Sequence, residues 1–290
     1  MFLPKKVLEE KLRKFLEEDV GQGDITTLLT VPSGTIIEAE VVAKEPGVIA
    51  GIEEALTLLE SFGFQATALV EDGANVKEKT VLLKIVGDAR NLLAIERTML
   101  NLLSRMSGIA SMTSQLIEKV RRAGYKTRVA CTRKVAPGLS YFDKKAVMRG
   151  GGDTHRLHLD DLVLIKDNHL AVAGDISKTI EKARNAVSFS KKIEIEVQRA
   201  DDGLKAAKAG ADIIMLDNVS TREIKETMAL LKKEGFRDQV LIEASGGITE
   251  QNVLEYAATG VDIISLGELT DSVKALDLSL EIVKVRKGKI

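Results

Sequence analysis

Four short stretches decide the fold: KIEIEV at 192–197, ADIIML at 211–216, QVLIEA at 239–244 and VDIISL at 261–266. YKTRVAC at 125–131 and DLVLIK at 161–166 have the same texture. Between these β-rich runs lie helical segments, GDISKTIEKARNA at 174–186, ADDGLKAAKAG at 200–210 and EQNVLEYAATG at 250–260. Such alternation is the signature of repeated βα units and a parallel sheet. Each run ends in a polar residue or glycine: Thr132-Arg133, Lys166, Glu196, Asp217, Ser245-Gly246 and Gly267. In a parallel barrel the C-terminal strand ends share one face, where active sites sit. Bland packing accounts for one or two such ends, not for all of them. Residues 125–267 are too few for a closed eight-stranded barrel of about 250 residues. The expectation is an open barrel of six strands whose gap another element must cover.

Working outward, residues 4–19 carry Val7, Leu8, Leu12, Phe15 and Leu16 at helical spacing, and VGQGDITT then breaks the helix with Asp24 as the next cap. IIEAEVVAK at 36–44 reads as a half-buried strand between turns at Ser33-Gly34 and Pro46-Gly47. A helix at 51–62, strands near 64–71 and 80–86 and a turn at Glu71-Asp72-Gly73 complete an α+β block. From Asp88 the period is helical for a long way, and Gly108 is its weak point, where a boundary or break could fall. The domains are therefore expected at 1–108 and 109–290, the second carrying most of the site and its final helix packing back on the first.

Composition narrows the function. With 290 residues, 44% hydrophobic and 29% charged, the chain can bury a sizeable core. A net charge of −1 gives no basic stripe for nucleic acid, and 3% aromatics without Trp leave no stacking platform. No apolar run approaches the roughly 20 residues of a membrane span. The N-terminus is amphipathic with acids, unlike a targeting peptide, so the expected compartment is the cytoplasm. Cys131 stands alone, which rules out a disulfide framework within one chain, and its VAC setting reads as a small buried side chain.

The chemistry concentrates in CTRKVAPGL at 131–139 and GGDTHRLHLDDLVLIKDNH at 151–169, which hold His155, His158 and His169, the chain's 3 histidines, among arginines and lysines. That is a pocket for several negative charges. Glu196 and Asp217, on successive strands, suit a shared divalent cation, for which magnesium is the natural choice, since it takes few carboxylates and keeps waters. The bland alternative makes one of them an ion-pair partner of Lys166 or Arg133. Glu194 is read as pointing to the opposite face by strand alternation, a weaker candidate. In EASGGITEQN, Gly246 and Gly247 precede a threonine cap and a helix, a phosphate cradle of freed N–H groups, and Gly267 in ISLGELTDS repeats it. Arg97, Arg133 and Arg156 remain for a partner with more than one carboxylate, because the guanidinium fork matches carboxylates bidentately. His155 beside Arg156 would orient or hydrogen-bond it. Lys166 at a strand end is also the position of a Schiff-base lysine, and a sugar-phosphate binder without turnover is a further alternative.

Across residues 17–272 the chain resembles the quinolinate phosphoribosyltransferase family, on EDVGQGDITT, AEVVAKEPGVIAG, ERTMLNLLSRMSGIA, TRKVAPGL, the HR of GGDTHR, LIKDNH, IEIEV, MLDN, SGGI and SLGELT. The resemblance implies an N-terminal α/β sandwich plus an open six-stranded α/β barrel. It implies that quinolinate and phosphoribosyl pyrophosphate react, with magnesium, to nicotinate mononucleotide, pyrophosphate and carbon dioxide, feeding NAD synthesis. By its motifs Arg133, His155, Arg156 and Lys166 would line the quinolinate carboxylates, Thr132 would be a further substrate-binding residue, and Lys134 and Lys166 would face phosphates or pyrophosphate. Glu196 and Asp217 would meet the ribose and the metal, and Ser245, Gly246, Gly247 and Gly267 the 5′-phosphate. Arg97 would enter the neighbouring subunit's site, making a homodimer with shared sites. The chain departs from the family pattern at Val135, Ser140, Glu268 and Asp271, where relatives carry a hydroxyl, a cation, a neutral residue and a histidine.

Overall fold

The computed structural model describes residues 3–286, which fall into two compact units. The first comprises residues up to Met112, Met148–Gly151 and residues from Val273 onward; the second comprises Thr113–Val147 and Gly152–Ser272.

In the first unit α1 (Lys5–Val20) buries Leu8, Leu12 and Leu16, spaced by four so that they share one face, against α3 (Ile52–Ser61). Between them α2 (Ile25–Thr30) is capped as expected: the Asp24 carboxylate accepts the Thr27 N–H at 3.0 Å. β1 (Ile36–Ala43), β3 (Gln65–Ala68) and β5 (Val81–Asp88) form an antiparallel sheet, with β2 (Gly47–Val48) and β4 (Asn75–Val76) as a separate pair. Ile37, Ala39, Val41 and Ala43 are all at most 2% exposed, the period-two face of β1. The second neighbour of β1 is the last strand of the chain, Leu278–Arg286, paired antiparallel from Ile36↔Arg286 to Ala43↔Leu278. The sequence led us to expect a helix there. DLSLEIVKVR, however, alternates and is rich in β-branched residues, and the open edge of β1 supplies a ladder for it.

α4 (Ala89–Arg122) runs without a break through Gly108 and contributes to both units. Of the boundary or break expected at that glycine, the units do divide close by, after Met112, but the helix is unbroken, for a packing reason. A Cβ on Gly108 would lie 2.1 Å from the carbonyl oxygen of Lys274, so glycine admits the returning chain against the helix.

The second unit holds six parallel strands: β6 (Arg128–Cys131), β7 (Val163–Ile165), β8 (Ile193–Val197), β9 (Ile213–Asp217), β10 (Leu241–Ser245) and β11 (Ile263–Leu266), in the order β6-β11-β10-β9-β8-β7. The connecting helices are α5 (Ser140–Arg149), α6 (Asp167–Ala173), α7 (Ile176–Ala186), α8 (Ala200–Lys208), α9 (Thr221–Lys233), α10 (Val253–Ala257) and α11 (Glu268–Asp271). The repeated Asp-Ile-Ile of ADIIML and VDIISL bolts the lower ends together. Asp212 accepts the Ile193 N–H of β8 and Asp262 the Ile242 N–H of β10, each at 2.7 Å, while Arg184 and Arg237 bind the same carboxylates. The sheet does not close. Among the described residues β6 and β7 do not pair, and the free edge of β6 is met by an isolated parallel bridge from Ala130 to Asp153.

Gly108→Ala is expected to destabilise the protein. The overpacking cost of about 1–3 kcal/mol exceeds the gain in helix propensity of about 1 kcal/mol. A lower denaturation midpoint with an unchanged slope in urea would match this reading, and an equal or higher midpoint would contradict it.

Candidate active site

The upper end of the sheet surrounds a cavity of about 450 Å³ in the second unit. Of the residues singled out in sequence, Thr132, Arg133, Lys134, His155, Arg156, Lys166, Asp217, Ser245, Gly246, Gly247 and Gly267 line it. Glu196 does not. Its carboxylate accepts from the Lys166 ammonium at 2.8 Å, the ion pair that was the bland alternative. Arg97 lies exposed on α4, in the first unit.

Charge is unevenly matched around this cavity. Lys166 has Glu196, but among the described residues no carboxylate lies within 4 Å of Arg133, Lys134 or Arg156. Arg156 is only 9% exposed. Burial, and then the nearby Arg133, push its pKa down, while Glu194 and Asp161 pull the other way. Cations crowded together without counter-charge are stabilised by an anionic ligand.

Opposite them, the turn after β10 places Gly246 and Gly247 at φ 85 and 60. A Cβ at Gly246 would sit 2.4 Å from Asn218 Oδ1, because Asn218, itself at φ 55, donates its N–H to the Ser245 carbonyl. The cradle is the glycine turn alone. The expected threonine-capped helix starts only at Val253 and has 5 residues, and the Thr249 N–H is taken by Asn252 Oδ1. Of the residues that depart from the family pattern, Glu268 accepts the Glu250 N–H and Asp271 packs beside Gly267.

Beneath the rim lies a cluster that the sequence reading underrated. His155 Nε2 is 3.1 Å from Glu243 and 3.4 Å from Glu194, two carboxylates with no solvent exposure. Glu194 does not point away from Glu196, as had been expected: residues two apart in a strand share a face, so it faces the interior one layer down. Stepping two residues back from the other strand ends finds Leu164, Met215, Glu243 and Ser265, all of which line the cavity. The period of two from each strand end is the sequence signal for this layer. The Ser265 hydroxyl has no protein partner.

His155, Glu194 and Glu243 are close enough to hold a metal by distance alone. The tautomer argues otherwise. The Arg156 N–H faces Nδ1 at 2.8 Å, so in the neutral ring Nδ1 keeps its lone pair and Nε2 carries the hydrogen that faces the carboxylates. Both ring nitrogens are thus committed to the protein, which fixes the imidazole and, through the backbone, Arg156. Burial opposes positive charge on His155, but the two carboxylates outweigh it and push its pKa up to about 10. Burial raises Glu194 as well.

The other histidines have structural places. His169 Nδ1 accepts the Lys166 N–H at the start of α6. His158 is exposed beside Asp161, whose carboxylate is taken up by backbone N–H groups of Leu157 and His158. Cys131 is fully buried. Burial pushes its thiol up, and the nearby Lys144 ammonium offsets this only in part, leaving a thiol rather than a nucleophilic thiolate.

An open parallel barrel with unpaired cations, a glycine cradle and carboxylates at one rim defines a protein that handles a polyanionic, phosphate-bearing ligand. Comparison with known sequences gives the family. The pattern described as quinolinate phosphoribosyl transferase, N-terminal domain, matches residues 24–107, and that of the C-terminal domain matches residues 109–281. A probable nicotinate-nucleotide pyrophosphorylase (carboxylating) of Methanothermobacter thermautotrophicus is 45% identical, covering 93% of this chain and 97% of its own. The Rattus norvegicus nicotinate-nucleotide pyrophosphorylase (carboxylating) is 37% identical over 97% of this chain and 92% of its own. The solved nicotinate-nucleotide pyrophosphorylase of Francisella tularensis superposes with a TM-score of 0.89 at 35% identity, covering 98% of each chain. The chain belongs to the quinolinate phosphoribosyl transferase family.

The proton on the His155 cluster sets a pH dependence. A folded-state pKa raised from 6.5 to about 10 means stability that is complete below pH ~6.5 and lost as pH rises toward 10, by up to about 1.4 kcal/mol per pH unit. Denaturation of wild type and His155→Gln across pH 6–10 should show this slope only in wild type. Parallel profiles would rule it out.

Proposed function

We propose that the protein converts quinolinate and phosphoribosyl pyrophosphate to nicotinate mononucleotide, pyrophosphate and carbon dioxide, the step that brings newly made pyridine into NAD. Family membership supports this over nearly the whole chain. The observation that carries the site assignment is the set of cations without counter-charge, Arg133, Lys134 and Arg156, facing the Ser245–Gly247 turn across one cavity. A diacid on the arginines and a 5′-phosphate on the turn would use both sides.

In this reading the pyridine nitrogen lone pair forms the bond to the anomeric carbon as the bond to pyrophosphate breaks. Positive charge developing on the ribose is stabilised by Asp217 and Glu196, and Lys134 and Lys166 take the leaving pyrophosphate. The 2-carboxylate then leaves as carbon dioxide, its electron pair held beside the pyridinium nitrogen until one proton is taken up at that carbon. Arg133 and Arg156 orient the acid for this step. His155, with both nitrogens engaged, acts by fixing Arg156.

Asp217 at the cavity, and Glu196 on the neighbouring strand in its ion pair with Lys166, are the carboxylates that would hold a hard cation such as magnesium. When bound, magnesium would neutralise pyrophosphate as it departs. The Schiff-base alternative is disfavoured because the Lys166 side chain is 44% exposed beside Glu196, not desolvated in an apolar pocket. The partner surface expected for a homodimer is supported by Ile25, Leu28 and Leu29 on α2, all more than 60% exposed. A cytoplasmic location agrees with there being no helix, among the described residues, long and apolar enough to cross a membrane.

Quinolinate, nicotinate and nicotinamide, each supplied with phosphoribosyl pyrophosphate and magnesium, should give nicotinate mononucleotide and carbon dioxide from quinolinate alone. Product from nicotinate without carbon dioxide would overturn the assignment. Arg156→Ala should lose about a hundredfold or more in kcat/KM for quinolinate, from about 3–5 kcal/mol for a buried charge left unpaired, with KM for phosphoribosyl pyrophosphate little changed. Mixing Arg97→Ala with Arg133→Ala subunits should restore activity if sites are shared, and verified heterodimers without recovery would exclude sharing.

A further inference from the structure

Lys144, on α5, is 1% exposed, and among the described residues no carboxylate lies within 4 Å of its ammonium. Buried lysines without an acidic partner are rare, because desolvating the charge is costly. Here its ammonium donates to two backbone carbonyls, Thr132 at 2.8 Å and Thr154 at 2.5 Å, and the buried Cys131 thiol is its third neighbour. Each belongs to a rigid peptide plane whose other half is the N–H of the next residue, so the ammonium fixes the planes leading into Arg133 and into His155. Those two segments come from different parts of the chain, the end of β6 and the loop after the Asp153 bridge. They carry the cations left without counter-charge at the cavity: Arg133 and Lys134 on one, Arg156 on the other.

Two further details show that these segments need holding. His155 has φ 50, a conformation that L-residues adopt only when surroundings impose it, and its N–H is held by Asp153 Oδ1 at 2.8 Å. The Arg133–Lys134 turn is closed by the Lys134 N–H donating to Thr132 Oγ1 at 3.1 Å. A neutral side chain at 144 could fill the space. Only a cation gives charge-assisted bonds to both carbonyls and adds positive potential behind Arg133 and Arg156, which favours a dianion over a monoanion.

We propose that Lys144 is a positioning residue for the diacid, its buried ammonium fixing the Thr132–Arg133 and Thr154–His155 peptides so that the two arginines converge on one ligand. This rests on the reading that quinolinate occupies that half of the cavity. The test is calorimetric binding of quinolinate and of phosphoribosyl pyrophosphate, separately, to the full-length wild type, Lys144→Met and Lys144→Gln, with melting temperatures recorded alongside. Failure of wild type to bind quinolinate would sink the functional reading, independently of Lys144. Given binding by wild type, folded Lys144→Met should bind quinolinate about tenfold or more weakly, with phosphoribosyl pyrophosphate affinity within about threefold. Lys144→Gln, which keeps N–H donors without charge, should fall between the two. Quinolinate affinity within about twofold of wild type in either folded variant overturns the proposal. So does equal weakening of both ligands, or failure of both variants to fold, each of which marks a purely structural lysine.

Discussion

Parallel strands deliver their carboxyl ends to the same side, and everything the second unit does depends on that register being kept. Pairings such as Ser245↔Asp217 and Leu266↔Cys131 set the height at which each chain leaves the sheet. A slip by one residue would turn every rim side chain to the outer face. The aspartates at the lower ends, binding neighbouring-strand N–H groups, oppose such a slip. Packing at the bottom of the sheet thus governs chemistry at the top.

The rim so placed is electrostatically unbalanced by construction. Arg133, Lys134 and Arg156 stand without counter-charge, Lys144 adds a cation behind them, and the opposing carboxylates Glu194 and Glu243 are sunk one layer lower against His155. Negative charge is kept where it orients the imidazole, not where it would neutralise the guanidinium groups. Stability is given up in the empty state for affinity toward an anion, the usual price of a preorganised site.

Much of this was legible in the chain. The β-rich runs and their polar ends gave the strand count and the rim, because parallel strands advertise themselves by apolar continuity and the side chain just beyond each is displayed by default. Asp24 was legible as a cap for the same local reason. What escaped depended on partners distant in sequence. Gly108 reads in sequence as a boundary or break because Lys274, which packs against it, is far along the chain, and DLSLEIVKVR needs the edge of β1 to become a strand. The inward facing of Glu194 and Glu243 follows from the period of two counted back from Glu196 and Ser245, whereas their meeting with His155 depends on the fold. Lys144 resembled any helical lysine, since the carbonyls it binds lie 12 and 10 residues away.

The pairing of β1 with Leu278–Arg286 imposes an order on assembly. During synthesis every strand of the second unit is made before Leu278–Arg286, so the opening sheet waits for one member while the whole of the second unit is being made. Until then β1 presents an unsatisfied edge, open to pairing with other nascent chains. Truncation before residue 278 would leave that edge permanently open, which exposes the first unit to aggregation and not only to loss of activity.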